Sequence, residues 1–176
     1  HKFVDDNLAA LGRLAVQCSN VGLIVGFVAR NDVGIGRELF NAVALLHEGE
    51  IKIIRHKTLL PTYDVFDEDR YFQPATSNEP FLFKGQKLGV TICEDAWNDQ
   101  EFGIPGRYTI NPVEALAKKG CLCVLNVSAS PWFLGKNRLR QSLLSRQSNQ
   151  LGITLVYCNM VGGNDELVFD GGSLVV

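Results

Sequence analysis

A chain of 176 residues has room for one domain with a real core, since at this size roughly 70% of the surface an unfolded chain exposes is buried on folding. Hydrophobic residues make up 46% and charged residues 20%, a soluble globular composition, and the net charge of -2 lacks the basic footprint of a nucleic-acid-binding domain. No apolar run approaches the ~20 residues that span a bilayer and no signal-peptide pattern opens the chain, so a cytoplasmic protein is expected, with neither nucleic acid nor membrane as a partner.

In chain order, residues 2–18 carry Leu8, Leu11, Ala15 and Cys18 at helical spacing. The apolar run 22–28 reads as a buried strand. Two strands, 38–47 and 51–56, are joined by Glu48-Gly49-Glu50, which is hairpin punctuation. Residues 57–80 then form a long polar and aromatic stretch with Pro61, Pro74 and Pro80, read as a loop of functional length. A second hairpin is expected from 81–84 and 87–92 around Gly85-Gln86. Pro112 opens a helix through Lys119, with Asn111 as N-cap and Gly120 as the stop. Residues 121–126 read as a buried strand, 136–151 as a helix with Leu139, Leu143 and Leu144 inward, and 153–158 as another strand. Hairpins mixed with βα units predict layered, mixed sheets rather than a simple doubly wound fold. His1 leads straight into the first helix and the chain stops in a strand-like segment, 172–176, so the expectation is a single domain, 1–176, belonging to a longer chain.

The five cysteines are Cys18, Cys93, Cys121, Cys123 and Cys158. An odd number, four of them in apolar runs, predicts reduced and mostly buried thiols rather than a disulfide framework. Cys121 and Cys123 flank Leu122 in a strand-like run, and with three histidines in the chain they read as core rather than as zinc ligands; no metal site is expected.

The chemistry gathers elsewhere. Cys93 closes the alternating run 87–92 and is followed by Glu94-Asp95-Ala96-Trp97, so its thiol stands where a strand stops and a polar loop begins. A thiol is a nucleophile as thiolate, which calls for a base or a positive neighbour. Lys57 and the acidic run Asp67-Glu68-Asp69 lie upstream. Taken singly, each has a plainer reading: Cys93 as a core residue, Lys57 and the acidic run as solvated surface, Tyr63 and Phe66 as loop packing, Ser128 and Ser130 as turn residues before Pro131.

Together, Lys57-Thr-Leu-Leu-Pro-Thr-Tyr63-Asp-Val-Phe66-Asp-Glu68-Asp-Arg-Tyr-Phe72, then Ile92-Cys-Glu-Asp-Ala-Trp97, then Asn126-Val-Ser-Ala-Ser-Pro131 with Gly135-Lys136, closely resemble the nitrilase superfamily of carbon–nitrogen hydrolases. Within it the Cys-Glu-Asp-x-Trp and Ser-x-Ser-Pro segments resemble the glutaminase branch of glutamine-dependent NAD synthetases. The resemblance implies a mixed α/β fold, a four-layer αββα sandwich, truncated at its N-terminus. It implies that Cys93 is the nucleophile, that Lys57 stabilises the oxyanion and that Glu68 holds Lys57. It implies that Tyr63, Phe66, Glu94, Ser128 and Ser130 shape a glutamine pocket, Glu94 meeting the substrate ammonium, and that Lys136 meets the α-carboxylate. The family's general-base glutamate precedes the first helix, so the 176-residue species is expected to turn over poorly by itself. Glutamine is the implied substrate, and the domain itself needs no cofactor. A C-terminal synthetase domain would use the ammonia, with ATP, Mg and deamido-NAD, and a homo-oligomer is implied. Two other readings stay open: another amidase, nitrilase or carbamoylase of the superfamily, and a non-catalytic scaffold of the same fold.

Overall fold

The computed structural model describes residues 2–98 and 108–176. The chain divides into two compact units, residues 1–77 and 78–176.

In the first unit a helix, α1 (Lys2–Gln17), precedes three strands, β1 (Leu23–Arg30), β2 (Leu39–His47) and β3 (Glu50–His56), paired antiparallel in that order. The helix buries one stripe, and Leu11 and Ala15 pack with Phe27, Ala29, Ala42, Ala44 and Leu46 of the sheet. Leu8 and Cys18 complete that stripe at its half-buried edge, as their spacing predicts. The Asn7 side-chain carbonyl accepts from the Val28 N–H at 2.9 Å and ties helix to strand. The β2–β3 turn consists of Glu48 and Gly49, both at positive φ (52° and 79°), which suits a two-residue hairpin. The chain after β3 departs from the expected open loop: Lys57 through Pro61 are all buried, and Glu68–Arg70 make a 3₁₀ turn. Lys57 N–H donates to the Asn41 carbonyl at 2.8 Å, which holds this segment against β2.

The second unit has a five-stranded sheet in the order β10 (Leu174–Val175), β7 (Thr154–Asn159), β6 (Cys123–Ser128), β5 (Gln86–Ile92), β4 (Phe81–Phe83). The three central strands run parallel, and β4 and β10 pair antiparallel at the edges. Two helices, α2 (Pro112–Lys118) and α3 (Lys136–Leu151), make the crossovers, as parallel neighbours require. The Asn111 side chain caps α2 by accepting from the Glu114 N–H at 3.1 Å. Val113, Leu116, Val124, Leu144, Leu155 and Tyr157 form the core of this unit. A small hairpin, β8 (Val161–Asn164) and β9 (Leu167–Asp170), was not expected from the sequence.

Three sequence expectations need correction. Cys93–Ala96 is a 3₁₀ turn, not a polar loop, and Glu94, Asp95 and Ala96 in it are buried. The reason is local: the Asp95 carboxylate accepts the Ile92 N–H at 3.0 Å, so its charge is answered inside the fold. The cysteines are not mostly buried: Cys121 is, but Cys18, Cys93 and Cys123 are half-exposed and Cys158 exposed. In β7 the inward positions are Leu155, Tyr157 and Asn159, which leaves Cys158 on the outer parity. On α3, Arg140 and Gln147 share the buried face with Leu143 and Leu144, while Leu139 is half-buried. Arg140 is buried because Asp170 pairs with it at 3.0 Å and the Gly171 carbonyl accepts from it at 3.0 Å. No helix among the described residues is long and apolar enough to cross a membrane.

Gly89 of β5 lies against Leu116 of α2. A Cβ there would lie 2.9 Å from Leu116 Cδ1 and 3.1 Å from Val124 Cγ2. Gly89→Val is therefore expected to overpack the core and destabilise by about 1–3 kcal/mol. Urea denaturation checks this, and a wild-type midpoint would contradict it.

Candidate active site

Lys57 follows β3 directly, and its side chain is 1% exposed. Burying an ammonium is costly unless it is paired. Its Nζ donates to Glu68 Oε1 at 2.6 Å, and the other carboxylate oxygen accepts from Asn41 Nδ2 at 3.1 Å. Glu68 is positioned by the 3₁₀ turn it opens, where its N–H donates to the Pro61 carbonyl at 3.1 Å. One β2 residue thus fixes both ends of the pair: Asn41 takes the Lys57 N–H on its carbonyl and gives its amide to Glu68. Tyr63 and Phe66 stand between them in sequence, their rings in an edge-on contact at 5.7 Å. Both are half-buried.

Cys93 lies in the second unit at the junction of β5 and the 3₁₀ turn, with φ at +44°. That region is unfavourable for an L-residue with a side chain, and such strain persists where neighbours over-determine it. Three buried side chains grip this turn. Asp95 accepts the Ile92 N–H, Asn126 Nδ2 donates to the Cys93 carbonyl at 3.3 Å, and Gln147 Nε2 donates to the Ala96 carbonyl at 2.8 Å. Glu94 is 7% exposed, and the Tyr108 hydroxyl donates to its Oε1 at 3.1 Å.

Ser128 ends β6 and is buried; its hydroxyl donates to Asn126 Oδ1 at 2.7 Å. Ser130 is buried too, but is tied elsewhere, its N–H donating to Asn159 Oδ1 at 2.9 Å. Lys136 opens α3, its ammonium 5.0 Å from the ring centres of both Trp97 and Phe133. Burial holds its pKa below the ordinary lysine value, opposed by the negative charge of Cys93, Glu94 and Asp170 and assisted by Arg140. Trp97 thus contacts a cation. The Tyr157 hydroxyl is buried below the same site, and burial pushes its pKa up, with the charge of Cys93 adding to the effect.

The predicted residues thus fall into two sets. Lys57, Glu68, Tyr63 and Phe66 gather in the first unit; Cys93, Glu94, Ser128 and Lys136 gather in the second, with Ser130 on a separate anchor. Sequence reading missed Asn41, Asp95, Tyr108, Asn126 and Gln147. Strand parity carries a signal for Asn126, which shares the inward parity of β6 with Val124 and Ser128. Among the described residues no group of three or more His, Cys, Asp and Glu is arranged to hold a metal ion.

No protein-family model matches the chain. The glutamine-dependent NAD(+) synthetase of Synechocystis sp. is 51% identical over 140 residues, covering 80% of this chain and 25% of that protein. The Thermotoga maritima enzyme of the same name is 39% identical over 180 residues, covering 99% of this chain and 28% of that protein. The chain therefore spans about a quarter of the length of the curated relatives it matches. Among solved structures, the Acinetobacter baumannii glutamine-dependent NAD+ synthetase bound to ADP superimposes with a TM-score of 0.84 at 33% identity, covering 98% of this chain and 30% of that one. A Nesterenkonia sp. amidase mutant carrying the acetamide moiety of fluoroacetamide on its active-site cysteine superimposes with a TM-score of 0.76 at 26% identity, covering 98% and 59%. The fold class is thus the mixed α/β fold of the nitrilase superfamily, as the sequence motifs implied.

Removing the Glu68 carboxylate strands a buried ammonium. Glu68→Ala is expected to destabilise by about 3 kcal/mol, and Glu68→Gln by less, because its amide oxygen still accepts from Lys57. Chemical denaturation of both variants checks this; equal midpoints for Glu68→Ala and wild type would contradict it.

Proposed function

Because the chain is homologous to glutamine-dependent NAD(+) synthetases and belongs to the nitrilase superfamily, we propose that it is the glutamine-hydrolysing part of such a synthetase. The observation that carries this reading is the setting of Cys93. A strained strand-end thiol lies near a buried carboxylate, Glu94, and a partly desolvated ammonium, Lys136. Groups of both signs suit the zwitterionic head of an amino acid, whereas a simple amide or nitrile has no use for them.

In this reading the Cys93 thiolate attacks the carboxamide carbon of glutamine. The C–N bond of the tetrahedral intermediate then breaks, and the nitrogen leaves as ammonia after gaining a proton. The γ-glutamyl thioester is hydrolysed by water, giving glutamate and the regenerated thiol. In the family's arrangement the oxyanion would meet the Lys57 ammonium, which Glu68 holds in place, and a backbone N–H beside Cys93. The proton of Cys93 goes to a general-base glutamate, which the resemblance puts ahead of the first helix. Glu94 takes the substrate ammonium and Lys136 its α-carboxylate. Ser128 and Ser130 offer hydroxyls to its polar ends, and Tyr63 and Phe66 shape the pocket.

The ammonia would pass to a C-terminal synthetase domain, which amidates deamido-NAD with ATP and Mg. The glutaminase part itself takes no cofactor. The assembly is read as a cytoplasmic homo-oligomer.

The test is ammonia release from glutamine by the full-length gene product, wild type against Cys93→Ser, with asparagine and a simple aliphatic amide in parallel. Release from glutamine that falls at least about a thousandfold in Cys93→Ser is expected. Release from the aliphatic amide with glutamine inert would move the protein among the amidases. Activity unchanged in Cys93→Ser would overturn the mechanism.

A further inference from the structure

Asn126 is a polar residue in the middle of a parallel sheet, 2% exposed, with every side-chain polar atom engaged. The parallel register pairs it with Thr91, two residues before Cys93. Its Nδ2 donates to Thr91 Oγ1 at 3.0 Å and to the Cys93 carbonyl at 3.3 Å, and its Oδ1 accepts from Ser128 Oγ at 2.7 Å. The chemistry fixes the orientation of the amide, because a backbone carbonyl can only accept, so the NH₂ end must face Cys93. The Oδ1 end must then face Ser128, whose hydroxyl proton is committed to it.

Two consequences follow. A trans peptide is planar, with its C=O and N–H pointing in opposite directions. Holding the Cys93 carbonyl therefore sets the direction of the Glu94 N–H, which shares that peptide. And the Ser128 hydroxyl, donating its hydrogen bond to Asn126 Oδ1, has only lone pairs left for a further partner, so it meets a substrate as an acceptor, matched to an N–H donor. We propose that Asn126 is a positioning residue for the reaction: it locks the Cys93–Glu94 peptide so that the Glu94 N–H is aimed at the oxyanion formed on attack by Cys93, and it fixes Ser128 as an acceptor. This deepens the glutamine-hydrolysis reading and rests on it. A donor to the oxyanion acts in the transition state, so its misalignment lowers turnover rather than substrate affinity.

The test compares Asn126→Asp and Asn126→Ala with wild type in the full-length gene product. Three quantities are read: steady-state glutamine hydrolysis, the rate of alkylation of Cys93 by iodoacetamide on the alkaline plateau of its pH profile, and the thermal midpoint. Asn126→Asp is the deciding variant, because it keeps the shape and the acceptor for Ser128 and loses the donor to Cys93. Alkylation builds no oxyanion, so a positioning role predicts a selective effect. The expected result is a fall in kcat of at least about tenfold, with KM within about threefold. Alkylation of the folded variant is expected to stay within about threefold of wild type. An unchanged kcat in Asn126→Asp, or alkylation falling in proportion to kcat, overturns the inference. If wild type releases no ammonia from glutamine, the reading beneath it falls instead, and the inference with it.

Discussion

A cysteine at φ +44° stays there because its neighbours leave it nowhere else to go, and the arrangement of the second unit follows from that constraint. Holding a non-glycine residue in the left-handed region costs of order 1–2 kcal/mol. Asp95, Asn126 and Gln147 each answer one backbone group of the turn, before, at and after Cys93. Each comes from a different element, so the turn depends on the whole local fold. Asp95 belongs to the 3₁₀ turn itself, Asn126 to the neighbouring parallel strand β6, and Gln147 to the buried face of α3. A shift of the β5–β6 register by one residue would put Val127 where Asn126 stands and turn the amide outward. The parallel pairing therefore does more than fill a sheet: it delivers a buried amide to the end of the strand that carries the thiol.

The first unit answers a different constraint, the burial of an ammonium. Lys57 is almost wholly removed from water, and Glu68 and Asn41 are arranged to make that tolerable. Such a pair contributes little net stability, since the desolvation of both ions offsets their attraction. What it does provide is an ammonium held in one place and shielded from water. The Arg140–Asp170 pair in the second unit obeys the same rule, with the guanidinium stacked 5.5 Å over the Tyr157 ring. Lys136 differs: no carboxylate is within ion-pair distance of it among the described residues, and it rests on two aromatic rings instead, so burial depresses its pKa. A cation held in that way can receive a carboxylate from a ligand.

Much of this was legible in the sequence where punctuation was strong. The helix 136–151 was read with its observed ends because glycines bracket it, and α2 because Asn111-Pro112 is an unambiguous start. The β2–β3 hairpin followed from Gly49. The β8–β9 hairpin escaped because its first strand is exposed throughout and rich in glycine, so no periodicity marks it. The turn at Cys93–Ala96 was misread because two carboxylates normally signal a solvated loop, and the groups that answer them, Tyr108 and the Ile92 N–H, are evident only in three dimensions. The site residues were named by their motifs, not by periodicity. Their supports, Asn41, Asn126 and Gln147, are polar residues on inward faces, a pattern that can be sought in any strand or helix once its core face is known.

Formation of a γ-glutamyl thioester on Cys93 is tested most directly by acid-quenched mass spectrometry of the full-length gene product during turnover with glutamine. The thioester mechanism requires an adduct equal in mass to glutamine less ammonia, on the peptide that contains Cys93, lost on treatment with hydroxylamine. Ammonia release from glutamine that continues in Cys93→Ser, or a wild-type adduct on a different residue, would contradict it.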